Sequence, residues 1–292
     1  MAQLPNADQS WLEDANSIDQ ESLDLGGSSY KWIQWVHGDK KLKTVGGPLY
    51  TGGWFCPGDN MPTDEAEGWE RGTLTHDNGE ETEGWFAQSI TVCPIRMRRC
   101  WRAQDKGGAL KFFSWDKYDD AAALGHPSGK LQVLCIVKGL SDAPMVLTLS
   151  GTAGKAFAPG GRGDSVMNAF RRCVIDPTNA LVRKAKSKAK FTWRAFWLTA
   201  GATDEPNFTQ VGQGDQTSIV TPPQALGLIN KPTPAQLKAF YIGRDLLAEM
   251  NGHYVETETW ANAWAEMDGT EPTKPAAEEK IEEAEATEEL PF

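Results

Sequence analysis

The chain has 292 residues, 40% of them hydrophobic, and 29 Lys/Arg against 40 Asp/Glu give it a formal charge of −11. That composition allows a sizeable core in one large domain or two modest ones. No apolar run approaches the ~18 to 20 residues of a membrane span, and Met1–Asp8 lacks the basic start and apolar core of a signal peptide, so a soluble cytoplasmic protein is expected.

The mean charge argues against a nucleic-acid partner, because phosphate binding needs a positive surface. Its distribution reverses the argument. Residues 1–90 hold 5 Lys/Arg against 16 Asp/Glu, whereas residues 91–194 hold 19 against 7, a middle of +12 inside an acidic chain.

In chain order, residues 1–27 are polar and acidic and read as a flexible arm. Tyr30–Val36 is dense in aromatic and β-branched residues, so a strand is predicted with Trp32, Gln34 and Val36 on one face and Ile33 and Trp35 on the other. From Gly46 to Gly84 the density of Gly and Pro predicts short strands and long loops, with Asn78-Gly79 turning Thr73–Thr75 back onto Trp85-Phe86.

Gln88–Arg102 is the strongest local pattern. As a strand it sends Arg96, Arg98, Cys100 and Arg102 to one face and Met97, Arg99 and Trp101 to the other. A row of guanidinium groups repels itself unless anions cover it, and the candidates are nucleic-acid phosphates or the acidic N-terminal half. Beyond Gly107-Gly108, the stretch with Lys111, Phe113, Trp115 and Lys117 again mixes bases with aromatics. Leu131–Val137 and Met145–Leu149 read as buried neighbouring strands.

A helix is predicted over Ser165–Val174, capped by Asp164 or Ser165. Arg183–Leu198 reads in two ways, as a strand with a lysine face or as a helix ending near Lys188 followed by a strand from Lys190 to Thr199; the second is preferred. Pro234–Met250 has helical spacing with Thr233 as cap and Pro234 at its first position, and Glu258–Met267 suggests a short second helix. From Gly269 the composition is that of a disordered acidic tail.

Catalytic signatures are weak. Ser150–Ala156 lacks the first glycine and the hydroxyl residue of a phosphate loop, neither a metalloprotease helix nor a nucleophile elbow appears, and Asp119-Asp120 reads as a solvated turn. Cys56, Cys93, Cys100, Cys135 and Cys173 form no C-x-x-C pair and match no common zinc module, so reduced buried thiols are expected, without metal or cofactor.

Twelve tryptophans, many beside basic residues, suit a groove that tracks a single strand with cations and stacks its bases on rings, although most large aromatics are core filler. The candidate nucleic-acid contacts are Arg96, Arg98, Arg99, Trp101, Arg102, Lys111, Phe113, Trp115, Lys186, Lys188, Lys190 and Trp193.

The acidic run from Glu278 closes in the apolar tripeptide Leu290-Pro291-Phe292. This segment resembles the acidic tail of bacterial and phage-type single-stranded DNA-binding proteins. The resemblance covers about fifteen residues, and it implies that Leu290, Pro291 and Phe292 enter a pocket on helicases, polymerase subunits or other repair enzymes. It also implies an OB-like barrel with insertions, mainly β within an α+β chain. The expected organisation is an arm over 1–27, an OB-like nucleic-acid-binding domain over 28–220, a helical segment over 221–268 and a tail over 269–292. The expected function is a non-enzymatic single-stranded DNA-binding protein serving replication, recombination or repair. The alternative is an acidic adaptor or DNA mimic whose basic strand is neutralised internally. The sequence leaves self-assembly open.

Overall fold

The computed structural model describes residues 30–38, 42–44, 47–48, 52–62, 66–75, 79, 81–104, 110–160, 164–185, 190–203, 209–211 and 218–262. The predicted arm, Lys186, Lys188 and the tail with Leu290–Phe292 lie outside them.

The fold is a mixed α+β arrangement dominated by a curled sheet that forms a half-barrel. Its first strands are β1 (Trp32–Val36), β2 (Leu42–Thr44), β3 (Gly47–Pro48), β4 (Gly53–Pro57), β5 (Glu70–Thr75) and β6 (Glu81–Ala87). Then come β7 (Ser89–Gln104), β8 (Leu110–Ser114), β9 (Ser128–Val137), β10 (Ser141–Ser150), β11 (Leu198–Gly201) and β14 (Gln224–Leu226). The order across the sheet is β14-β11-β7-β9-β10-β1-β4-β6-β5-β2-β3, with β8 also on β7. Every pair is antiparallel except β1 with β10. Between β11 and β14, β12 (Thr209–Val211) and β13 (Ser218–Val220) form a separate ladder.

The alternation predicted for β1 is observed: Ile33 and Trp35 are buried while Trp32 is exposed. β9 pairs with β10 as predicted, and β5 pairs with β6, though in a register that sets Thr73–Thr75 opposite Glu81–Glu83 and Trp85-Phe86 opposite Glu70-Arg71; Asn78 of the predicted turn lies outside the described residues. One sheet face buries Ile33, Trp54, Val133, Cys135, Leu147 and Leu149 beneath α2 (Gly151–Phe157) and α3 (Val166–Phe170). Trp54 is fully buried there, edge-on to Trp35 and Phe157, and its indole N–H donates to Ala200 O at 2.9 Å. A buried indole needs such a partner, and β11 supplies it.

Three predicted helical or strand segments differ from the observed ones. Ser165 caps α3 as expected, but α3 continues through a π-helical turn, Arg171–Ile175, into α4 (Asp176–Lys184). Pro177 sits in the first turn of α4, where it has no N–H to donate and its ring crowds the carbonyls of the preceding turn, and the π turn lies directly ahead of it.

The strand predicted over Lys190–Thr199 exists only from Leu198. Before it, a 3-10 turn covers Trp193–Ala195. Side chains and other loops have taken the backbone groups a ladder needs: Asn179 bonds both Phe191 N and Phe191 O, and Trp197 N donates to Phe240 O.

The helix predicted over Pro234–Met250 is two helices, α5 (Pro234–Phe240) and α6 (Arg244–Glu256). Tyr241 bridges Phe196, Ile242 N donates to Ala195 O, and Gly243 takes φ 93°, a conformation that suits glycine. The Thr233 cap is complete, with Gln236 closing the capping box. A last helix, α7 (Glu258–Asn262), follows α6. Met250 of α6 is fully buried against Cys93, Ile95, Leu134, Ile136 and Val146 on the opposite face of the sheet from α2 and α3. Among the described residues no helix is long and apolar enough to cross a membrane.

Candidate nucleic-acid interface

Strand β7 is sixteen residues long and pairs with β8, β9 and β11, so it carries side chains to both faces of the sheet along a long ladder. A bulge between Pro94 and Arg96 sets the register that follows: Arg96↔Leu134, Arg98↔Gln132, Cys100↔Lys130 and Arg102↔Ser128 on one face. Arg99↔Leu131 and Trp101↔Gly129 share the other.

On the first face Arg96 and Arg98 reach main-chain carbonyls, a hydroxyl, an amide oxygen and aromatic rings. Arg96 donates to Tyr254 O at 3.0 and 2.5 Å and to Thr257 Oγ1 at 3.2 Å, and its Cζ lies 3.7 Å from the Tyr254 ring centroid. Arg98 donates to Gln132 Oε1 at 3.0 Å and to Trp260 O, with its Cζ 3.8 Å from the Trp260 ring. Arg194, outside the predicted set, also reaches the Tyr254 ring at 3.7 Å.

The carbonyls are those at the end of α6 and in α7, where the helix dipole favours cations, and the rings offer their negative faces. Burial pulls Arg98 down to about 10. Arg96 and Arg98 therefore fasten the C-terminal helices to the sheet. Among the described residues their contacts include the carbonyls and rings of those helices, a partner that strand patterning does not suggest.

On the second face Trp101 and Trp115 stack with ring centroids 4.1 Å apart and planes 9° from parallel. Tyr118, the first residue of α1 (Tyr118–Leu124), stands edge-on to Trp101 at 5.0 Å. Trp101 Nε1 donates to Trp115 O at 2.9 Å, which ties the strand to the turn after β8. Arg99 Cζ lies 5.8 Å from the Trp115 ring.

Gly129 makes room for the pair, since a Cβ there would sit 3.3 Å from Trp115 and 3.4 Å from Trp101. Trp115 is 44% and Tyr118 48% exposed. Large rings held open to water forgo burial energy, and a flat exposed ring beside a guanidinium is a surface on which a base can stack.

The structure thus brings Arg99, Trp101 and Trp115 together, with Phe113 opposite Trp101 in the β7–β8 ladder. It sends Arg96, Arg98 and Arg102 to the opposite face. Lys111 belongs to β8, with its side chain outside the described residues. Lys190 is exposed ahead of the 3-10 turn, and Trp193 is half-buried against the main core, with its indole N–H lacking a partner among the described residues.

Sequence reasoning missed Tyr118, which follows Lys117 directly and opens α1, and Tyr254 and Trp260, which are remote from the basic run and brought in by the C-terminal helices. It also missed Lys130, a single base at the head of an apolar strand. The five thiols are buried, and burial pushes Cys56 and Cys100 up to about 12. Among the described residues no group of three or more His, Cys, Asp or Glu is placed to hold a metal ion.

No protein-family model matches the chain, and no curated protein or solved structure does so either.

Proposed function

We propose that the chain binds single-stranded DNA, stacking bases on the Trp101–Trp115–Tyr118 surface beside Arg99, and recruits DNA-processing enzymes through the acidic segment that closes in Leu290-Pro291-Phe292. The observation that carries the reading is a parallel pair of indoles, half-buried Trp101 beneath exposed Trp115, with a guanidinium alongside. Aromatic stacking accepts any base, which suits a protein that coats a strand without regard to sequence. The curled sheet is compatible with an OB-like barrel, and that finer description of the fold belongs to the proposal.

Titration with oligo-dT should quench tryptophan emission, and added salt should weaken the binding. Trp115→Ala should cost about 1 to 3 kcal/mol of affinity, roughly five- to 150-fold. Deleting Leu290–Phe292 should leave that titration unchanged and abolish recruitment. Absence of quenching at low salt overturns the DNA-binding reading.

A second reading, an acidic adaptor or DNA mimic for a basic protein, draws on one observation: Arg96 and Arg98 are satisfied inside the molecule. A gel shift with single- and double-stranded DNA separates the two, because the adaptor shifts neither.

A further inference from the structure

Directly behind the indole stack, on the other face of the same strand pair, Lys130 lies across from Cys100 and Arg102 across from Ser128. Lys130 is only 7% exposed. Its ammonium donates to Ser150 Oγ, which uses one of three protons. Arg102 is its charged neighbour, and burial together with that like charge brings the ammonium down to about 8.

Cys100 beneath them is fully buried, and a thiol pushed up to about 12 supplies no negative charge at neutral pH. Ser128 Oγ is buried without a hydrogen-bond partner among the described residues. Among those residues, too, no carboxylate pairs with Lys130 or Arg102.

Two adjacent cations, one of them buried, with an idle hydroxyl between the strands, form a cradle short of one anion. A buried lysine is ordinarily paired. Nothing on this face within the described chain pairs it.

We propose that Lys130, Arg102 and Ser128 form a seat for a backbone phosphate of the bound strand, on the sheet face opposite the indole stack. A phosphate oxygen accepts from the ammonium and the guanidinium, and another accepts from the Ser128 hydroxyl. β9 begins at Ser128, and its ladder with β7 ends there opposite Arg102, so the two faces meet at that end. A strand whose base lies on Trp115 reaches the seat by turning round that end. The inference rests on the single-stranded DNA reading and names the group that anchors its backbone.

The test is Lys130→Met, a replacement of similar length that suits a buried site, with Arg102→Gln as a second variant. Both are titrated with fluorescent oligo-dT across a salt series. Removing one cation from a phosphate of a single strand should lower the slope of log affinity against log salt by about 0.7, and affinity at low salt should fall about three- to tenfold. Quenching of the indole stack should survive in the bound state. Unchanged affinity and slope in both variants, with wild-type binding intact, overturn the seat and leave the DNA-binding reading standing.

If wild type binds no oligonucleotide at all, the DNA reading fails, and the seat is judged on sodium tripolyphosphate. A rise in Tm in wild type that is absent in Lys130→Met keeps it; an equal response, or none, removes it.

Discussion

Arg96 and Arg98 lie against Tyr254 and Trp260 and donate hydrogen bonds to their main-chain carbonyls. One residue further along the same strand, Arg99 lies beside a Trp115 ring that is 44% exposed. The two sets arise from one alternating run of bases, and their surroundings differ because α6 and α7 cover one face of the strand's basic end while the turn after β8 leaves rings open on the other. A basic pattern in a strand thus specifies positive charge on two faces; what each charge does is decided by the element that packs over it.

The largest effect expected from breaking this contrast is structural. Arg96→Ala removes three hydrogen bonds and a ring contact, and leaves the Tyr254 carbonyl at the end of α6 without its donors. Stability in urea unfolding should fall by about 3 kcal/mol. Oligo-dT affinity, measured where the variant is still folded, should change by less than it does for Trp115→Ala. The reverse ranking would mean that Arg96 and Arg98 themselves contact the strand and that α6 and α7 move aside.

Much of the contrast is hidden from sequence for a definite reason. Alternation places Arg96 and Arg98 together and Arg99 with Trp101 on the opposite face, because a strand's period is local. The pairing of β5 with β6, the β9–β10 pair and the Thr233 cap are legible on the same ground. Tyr254 and Trp260 are not, because they reach β7 from more than 150 residues away and only the packing of Met250 into the sheet brings them there. The strand expected at Lys190 fails for a related reason: Asn179 and Phe240 supply tertiary partners to its backbone, and local propensity carries no sign of them.

A smaller effect separates Lys130 from Arg96 and Arg98 on the same sheet face. Its pKa in the folded chain is about 8 against an ordinary 10.5. Between those values the unfolded chain holds the proton that the folded chain has released, so this group makes stability rise with pH across the window. Below it the penalty is fully present.

The buried thiols, whose pKa values are pushed up, act oppositely above about pH 9, so the lysine's part must be read as the difference between wild type and variant. Lys130→Met should be more stable by about 2 kcal/mol near pH 7, the shift's worth less the hydrogen bond to Ser150, and that advantage should vanish by about pH 10.5. A variant less stable at neutral pH would show that the ammonium is already neutralised in the folded protein.

The smallest effect tests the open face itself. At Gly53, Gly84 and Gly201 an added Cβ would meet backbone oxygen at 2.7, 2.4 and 2.4 Å, and no small adjustment relieves that. Gly129 is different. Its nearest neighbours are the outer edges of Trp115 and Trp101 at 3.3 and 3.4 Å, which clear a methyl group by shifting a few tenths of an ångström. Alanine also reduces the freedom of the unfolded chain by about 0.4 to 1 kcal/mol, which offsets the crowding, so Gly129→Ala should leave stability within about 1 kcal/mol of wild type. The response belongs in the stack: two parallel indoles 4.1 Å apart couple in circular dichroism, and forcing them apart should weaken that signal while oligo-dT affinity falls a few-fold. If the coupling weakens and affinity holds, the strand stacks on Tyr118 or the outer face of Trp115 alone, and the pairing with Trp101 serves to hold the turn after β8 in place.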